Sequence, residues 1–88
     1  MEQYMIELPH KGEECLQALD EISEHASALL PKVNWGCKAG IHIGWAIVDV
    51  ENEIEARNLI GSSLMQEKAR VVKLNKFTEQ DIESFHKM

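Results

Sequence analysis

A chain of 88 residues with 44% apolar and 27% charged side chains describes one small globular domain, because two do not fit in that length and the composition is not that of a disordered or low-complexity segment. The net charge of −6 argues against non-specific nucleic-acid binding, and no apolar run approaches the roughly 20 residues that cross a bilayer. Neither nucleic acid nor membrane is therefore an expected partner. The opening MEQYMIELPH has no basic leader and no long apolar run, and Cys15 and Cys37 stand in no CxxC spacing. Together these predict a soluble, cytoplasmic protein with free thiols. The charge is uneven, with seven acids and one base in residues 1–30 against eight of each in residues 31–88. Lys68, Arg70, Lys73 and Lys76 cluster on one segment that reads as a solvated strand edge.

Tyr4 to Leu8 is a short apolar run stopped by Pro9, and predicts a first strand. Glu13 and Glu14 then suit a first helical turn. Cys15, Leu19, Ile22, Ala26 and Leu29, widened by Leu16 and Leu30, form one apolar stripe that ends before Pro31. Val33 to Lys38 and Gly44 to Val50 read as two strands joined near Ala39 and Gly40. Asn52 with Glu55 resembles a capping box opening a second helix through Ala56, Leu59, Ile60, Ser63 and Leu64, with Gly61 weakening its last turn. Ala69 to Phe77 is a fourth strand, and Thr78 caps a short final helix bearing Asp81, Ile82 and Phe85.

The order β-α-β-β-α-β predicts an α+β, ferredoxin-like domain over residues 1–88: a four-stranded antiparallel sheet with two helices on one face and a short C-terminal helix. Alternation sends Tyr4, Ile6, Leu8, Gly44, Ala46 and Val48 toward the helices. Met5, Glu7, Trp45, Ile47 and Asp49 then share the open face. An apolar open face is most simply covered by a second copy, which makes a homodimer the expected assembly.

The segments GWAIVDVENEIEARNLI and KARVVKLNKF resemble the second half of muconolactone-isomerase-like proteins, and the whole pattern is similar to the dimeric α+β-barrel superfamily. That resemblance implies two protomers packed sheet against sheet. It also implies a small-molecule chemistry that the fold alone cannot choose, since the superfamily holds isomerases, monooxygenases and haem-degrading enzymes. No catalytic motif of theirs is matched. Ile43 to Val50 also resembles the third strand of the RNA-recognition motif at Gly44, Trp45, Ala46 and Val48. It lacks the basic residue and two of the three aromatics.

The stretch WGCKAGIHIGW, residues 35–45, holds the sharpest chemistry. A two-residue loop pairs Trp35 with Gly44 and sets Cys37 opposite His42, whereas a four-residue loop sets Cys37 opposite Gly44. Both place each indole on the face of a glycine, Trp35 with Gly44 and Trp45 with Gly36, whereas a three-residue bulged loop would stack Trp35 against Trp45. A thiol beside an imidazole is an activated nucleophile or half a metal site. Two ligands are too few for zinc, no second pair stands at ligand spacing, and His10 would be only a third. No metal site and no cofactor are assigned.

Glu7 and Asp49 are acids among apolar neighbours, the setting of a general acid or base. The plainer reading pairs Glu7 with Arg70 or Lys73. The expected catalytic candidates are Glu7, His42 and Asp49, with Met5, Trp45, Ile47 and Cys37 binding ligand. Cys15 is read as core, and His25 and His86 as surface. The expected function is a homodimer that binds or converts a small organic molecule at the open face. The alternative is a non-enzymatic dimerisation or protein-interaction module, with RNA or metal binding ranked behind both.

Overall fold

A computed structural model describes residues 1–87 as an α+β domain with a four-stranded antiparallel sheet in the order β2-β3-β1-β4. β1, Glu2–Pro9, is central and outruns its predicted bounds because β3 pairs with it along its whole length. It runs against β3, Ile43–Val50, from Glu2↔Val50 to Pro9↔Ile43, and against β4, Arg70–Lys73, from Tyr4↔Lys73 to Glu7↔Arg70. β2 is only Asn34–Trp35, paired as Asn34↔Trp45 and Trp35↔Gly44.

That short β2 corrects the predicted strand Val33 to Lys38. Past Trp35 the backbone bonds to itself: Gly36 O accepts from the N–H groups of Ala39 and Ile41, and Cys37 O accepts from that of Gly40. The result is a 3₁₀ turn, Cys37–Ala39, closed by Gly40 at φ 83°, a region that favours glycine. Trp35 does face Gly44, as the two-residue reading expects. Cys37 and His42 lie instead in the longer loop and leave the ladder.

α1, Cys15–His25, follows a 3₁₀ turn, Gly12–Glu14. Its buried side chains are Ala18 and Ile22, continued beyond the helix by Ala26 and Leu29. Leu16 is 70% exposed, so the stripe is rotated from the predicted one. The helix also stops well short of Pro31, where the chain from the other crossover crosses it. A Cβ at Gly61 would stand 2.0 Å from the His25 carbonyl oxygen, and Gly61 has φ 68°. That same glycine divides the predicted second helix into α2, Glu53–Asn58, and α3, Ser63–Lys68. Each has its own cap: Asn52 Oδ1 accepts from the Glu55 N–H, and Ser62 Oγ from the Met65 N–H.

The core lies between the sheet and α1 to α3. Tyr4, Ile6 and Leu8 from β1 and Ala46 and Val48 from β3 meet Ile22, Ala56, Ile60 and Met65, as alternation predicts. Ile6, Leu8, Ile22 and Ile60 are fully buried, each worth about 1.5–3 kcal/mol of transfer free energy. The glycines make room for the indoles as expected. A Cβ on Gly44 would meet the Trp35 ring at 2.9 Å, and one on Gly36 would meet the Trp45 ring at 2.9 Å.

β4 ends at Lys73, short of the predicted Phe77, with one further bond from the Leu74 N–H to Gln3 O. Residues 74–78 then lead to α4, Glu79–His86, which starts at the Thr78–Asp81 capping box. α4 buries none of its side chains. Among the described residues no helix is long and apolar enough to cross a membrane.

Candidate metal centre

Two loops meet at one end of the sheet and bring together four half-buried donors: His10, Cys15, Cys37 and His42. His10 is the first residue beyond β1, and its backbone N–H donates to His42 O at 3.0 Å. Its Nδ1 lies 3.1 Å from Leu8 O. The carbonyl can only accept, so Nδ1 carries the proton and Nε2 presents its lone pair, the second-sphere arrangement common to metal-binding histidines. His10 Nε2 is 3.1 Å from Cys37 Sγ and 3.3 Å from Cys15 Sγ.

Cys15 begins α1 and is aimed by the preceding turn. Glu14 Oε1 accepts from the Lys11 N–H at 3.0 Å, and Lys11 O accepts from the Glu14 N–H at 2.9 Å. Cys15 Sγ reaches Cys37 Sγ at 3.1 Å and His42 Nδ1 at 3.0 Å. The His42 ring lies over Gly12, where a Cβ would stand 3.2 Å from its Nε2. Cys37 and His42 sit at the two ends of the loop set by Gly36 and Gly40. Gly36 can carry no side chain, because a Cβ there would meet the Ile41 carbonyl oxygen at 2.6 Å.

All four donor atoms lie within 4.8 Å of one another. A tetrahedral ion at Zn–S and Zn–N bond lengths sets its ligands roughly 3.3–3.8 Å apart. The observed short edges of 3.0–3.3 Å would open by about 0.3–0.7 Å to reach that spacing, and the longest separations, up to 4.8 Å, would close by about an ångström or more. Two thiols and two imidazoles are the donor set of a closed Cys2His2 centre. Four protein donors would complete a tetrahedral shell and leave no open position for a metal-bound water.

The local electrostatics follow from the packing. The Cys15 thiol is held above its ordinary range, first by its hydrogen bond to Cys37, then by desolvation and by repulsion from that sulfur. The Glu14 carboxyl is held below its ordinary range, chiefly by the Lys11 N–H, with Lys68 Nζ 3.4 Å away adding to the effect. Two hollows flank the cluster. One of about 470 Å³ lies beside Cys37, against Leu19, Val33 and Trp35. Another of about 450 Å³ lies beside His10, against Pro9, Lys11 and Lys68.

Of the site residues expected from sequence, Cys37 and His42 are in this cluster. The other five are elsewhere. Glu7 faces Trp45 on the open side and pairs with Arg70 Nη1 at 3.7 Å. Met5 and Ile47 are ladder partners on that side, and Asp49 is exposed opposite Gln3. Asp49 is seven strand residues from His42, about 23 Å along an extended chain, so Glu7, His42 and Asp49 do not converge. His10 and Cys15 complete the cluster, and Cys15 is not the core residue that its place in the stripe predicts. A readable signal existed in His10-x4-Cys15 and Cys37-x4-His42, two pairs at equal spacing in mirrored order.

No protein-family model, curated protein or solved structure matches this chain.

Proposed function

We propose that this protein binds a transition-metal ion, zinc foremost, through His10, Cys15, Cys37 and His42. The observation that carries the reading is the convergence of all four donor atoms within 4.8 Å, from two loops that are already tied together by the His10–His42 backbone bond. Mixed thiolate and imidazole ligation suits zinc and excludes the hard cations, which take oxygen ligands. Four protein ligands suit a site that holds metal rather than one that activates water. The small-molecule site expected at the open face has less support, because its candidate acids stand apart and Glu7 is engaged by Arg70.

The ferredoxin-like arrangement belongs to this proposal as the scaffold. In the order β2-β3-β1-β4 each crossover, β1–α1–β2 and β3–α2–α3–β4, skips one strand, which supports the split βαβ pattern. In it the β1–α1 and β2–β3 connections emerge at the same end of the sheet, which is why four ligands from two loops meet.

Metal analysis of purified protein, followed by cobalt(II) titration of the chelator-treated chain, tests the reading. One metal per chain and the intense visible absorption of a tetrahedral thiolate-bound cobalt are expected, both lost in Cys15→Ser and in His42→Ala. A chain that binds no zinc or cobalt while circular dichroism reports it folded would end the proposal.

A further inference from the structure

The two sulfurs of the cluster lie against each other. Cys15 Sγ and Cys37 Sγ are 3.1 Å apart, closer than the roughly 3.8 Å that a tetrahedral ion sets between two thiolates and about 1 Å longer than the S–S bond of about 2.0 Å. Both cysteines are free and partly exposed. They belong to different elements, Cys15 opening α1 and Cys37 opening the 3₁₀ turn of the second loop.

We propose that a hydroperoxide joins Cys15 and Cys37 as an intrachain disulfide, so that the four-residue centre holds either an ion or an S–S bond and never both. The bond itself needs no ion, whereas its competition with one rests on the metal reading above.

The chemistry closes on these groups and that oxidant. Cys37, which lines the hollow of about 470 Å³, attacks the terminal peroxide oxygen and the O–O bond breaks. Its sulfur becomes a sulfenic acid, and the thiol proton leaves with the other oxygen as water or an alcohol. His10 Nε2, 3.1 Å from that sulfur, stands where it can pass the proton on. Cys15 Sγ then attacks the Cys37 sulfur, the S–O bond breaks, and hydroxide departs with the Cys15 proton as water. The two sulfurs have lost two electrons and the peroxide has gained them. In the loaded centre the thiolates carry no protons, so both come from solvent. Once joined, the sulfurs are no longer thiolates, and the two imidazoles that remain are too few to hold zinc.

Hydrogen peroxide added to the chelator-treated chain and, separately, to the zinc-loaded chain tests this. Both should lose their two free thiols, become lighter by two hydrogens without gaining oxygen, and yield a proteolytic fragment in which Cys15 is linked to Cys37. The loaded chain should release its zinc to a chromogenic chelator, and the oxidised chain should take up no cobalt until a dithiol reduces it. In Cys15→Ser the partner is missing, and a sulfenic acid at Cys37 should be trapped by dimedone instead. A folded chain whose thiols go to sulfinic acids or to bonds between chains, with no Cys15–Cys37 link, overturns the proposal while leaving the metal reading intact. So does a disulfide-bonded chain that binds cobalt as the reduced one does. A reduced chain that takes up no cobalt ends the metal reading, and with it the competition, even where the disulfide forms.

Discussion

The backbone N–H of His10 donates to the carbonyl oxygen of His42 at 3.0 Å, so the two loops that supply the donors are joined by main chain before any ion arrives. The fully buried side chains, Ile6, Leu8, Ile22 and Ile60, lie in the body of the domain. Fold and metal site are accordingly separable, and the chain should stay folded without metal. Zinc at a hundred times its dissociation constant should then add about 2.7 kcal/mol and raise the melting temperature by roughly ten degrees or more. Thermal melts with zinc and with chelator measure this. A chelated chain with no cooperative transition contradicts it.

Gly12→Ala isolates the support of the second imidazole. The new methyl would stand 3.2 Å from His42 Nε2, so the ring must shift while the core is untouched. Zinc affinity should fall by about 10- to 100-fold, the usual effect of disturbing a ligand's support, with the melting temperature of the chelated protein nearly unchanged. Competition with a chromogenic chelator reads the affinity.

Gly36→Ala is a harsher change. Its Cβ would strike the Ile41 carbonyl at 2.6 Å and the Trp45 ring at 2.9 Å, so the loop holding Cys37 and His42 has to open. A loss of about 1–3 kcal/mol is expected from overpacking, together with loss of the metal. Denaturant melts alongside metal analysis separate the two effects.

The perturbed groups give opposite pH limits. The lowered Glu14 carboxyl contributes stability above its ordinary range that is lost as pH falls through its lowered folded value, and Glu14→Gln should blunt that acid sensitivity. The raised Cys15 thiol contributes stability below the ordinary value of 9.0, lost as pH rises through its raised folded value. At neutral pH the metal-free thiol is therefore protonated, and loading zinc should release protons. Titration in weak buffer with an indicator dye detects them, and Cys15→Ser, which loses the metal, should abolish the release.

Glu7→Gln should change stability by less than about 1 kcal/mol, because the Glu7–Arg70 pair is separated by 3.7 Å and its arginine is largely exposed. It should leave zinc affinity unchanged. A large fall in either would restore Glu7 as a functional residue.

Much of the fold was legible in local patterns. Alternation placed Ile6, Leu8, Ala46 and Val48 inside, and the Asn52 and Thr78 caps opened helices where expected. The rest depended on contacts distant in sequence. The approach of Gly61 to the His25 carbonyl stops one helix and divides another, and no periodicity in either segment announces it. Strand signals carried the reading past Trp35 into a loop whose hydrogen bonds are internal.

Three of the four donors of the candidate centre were legible. Cys37 and His42 are close in sequence and drew attention together, with His10 at the end of a strand as a possible third, whereas Cys15 fits an apolar helical stripe and read as core. Only the joining of β1 to β3 turns two five-residue spacings into one cluster.

β2 is a two-residue strand at the sheet's edge, the kind of element that frays first. An ion shared by Cys15 and Cys37, 22 residues apart, would act on it as a cross-link that closes the whole α1–β2 segment into a ring. Opening that edge would then require breaking a metal–sulfur bond, and the hydrogen-exchange protection of the Gly36 N–H, which donates to Ile43 O at 2.9 Å, would report whether the ion is in place.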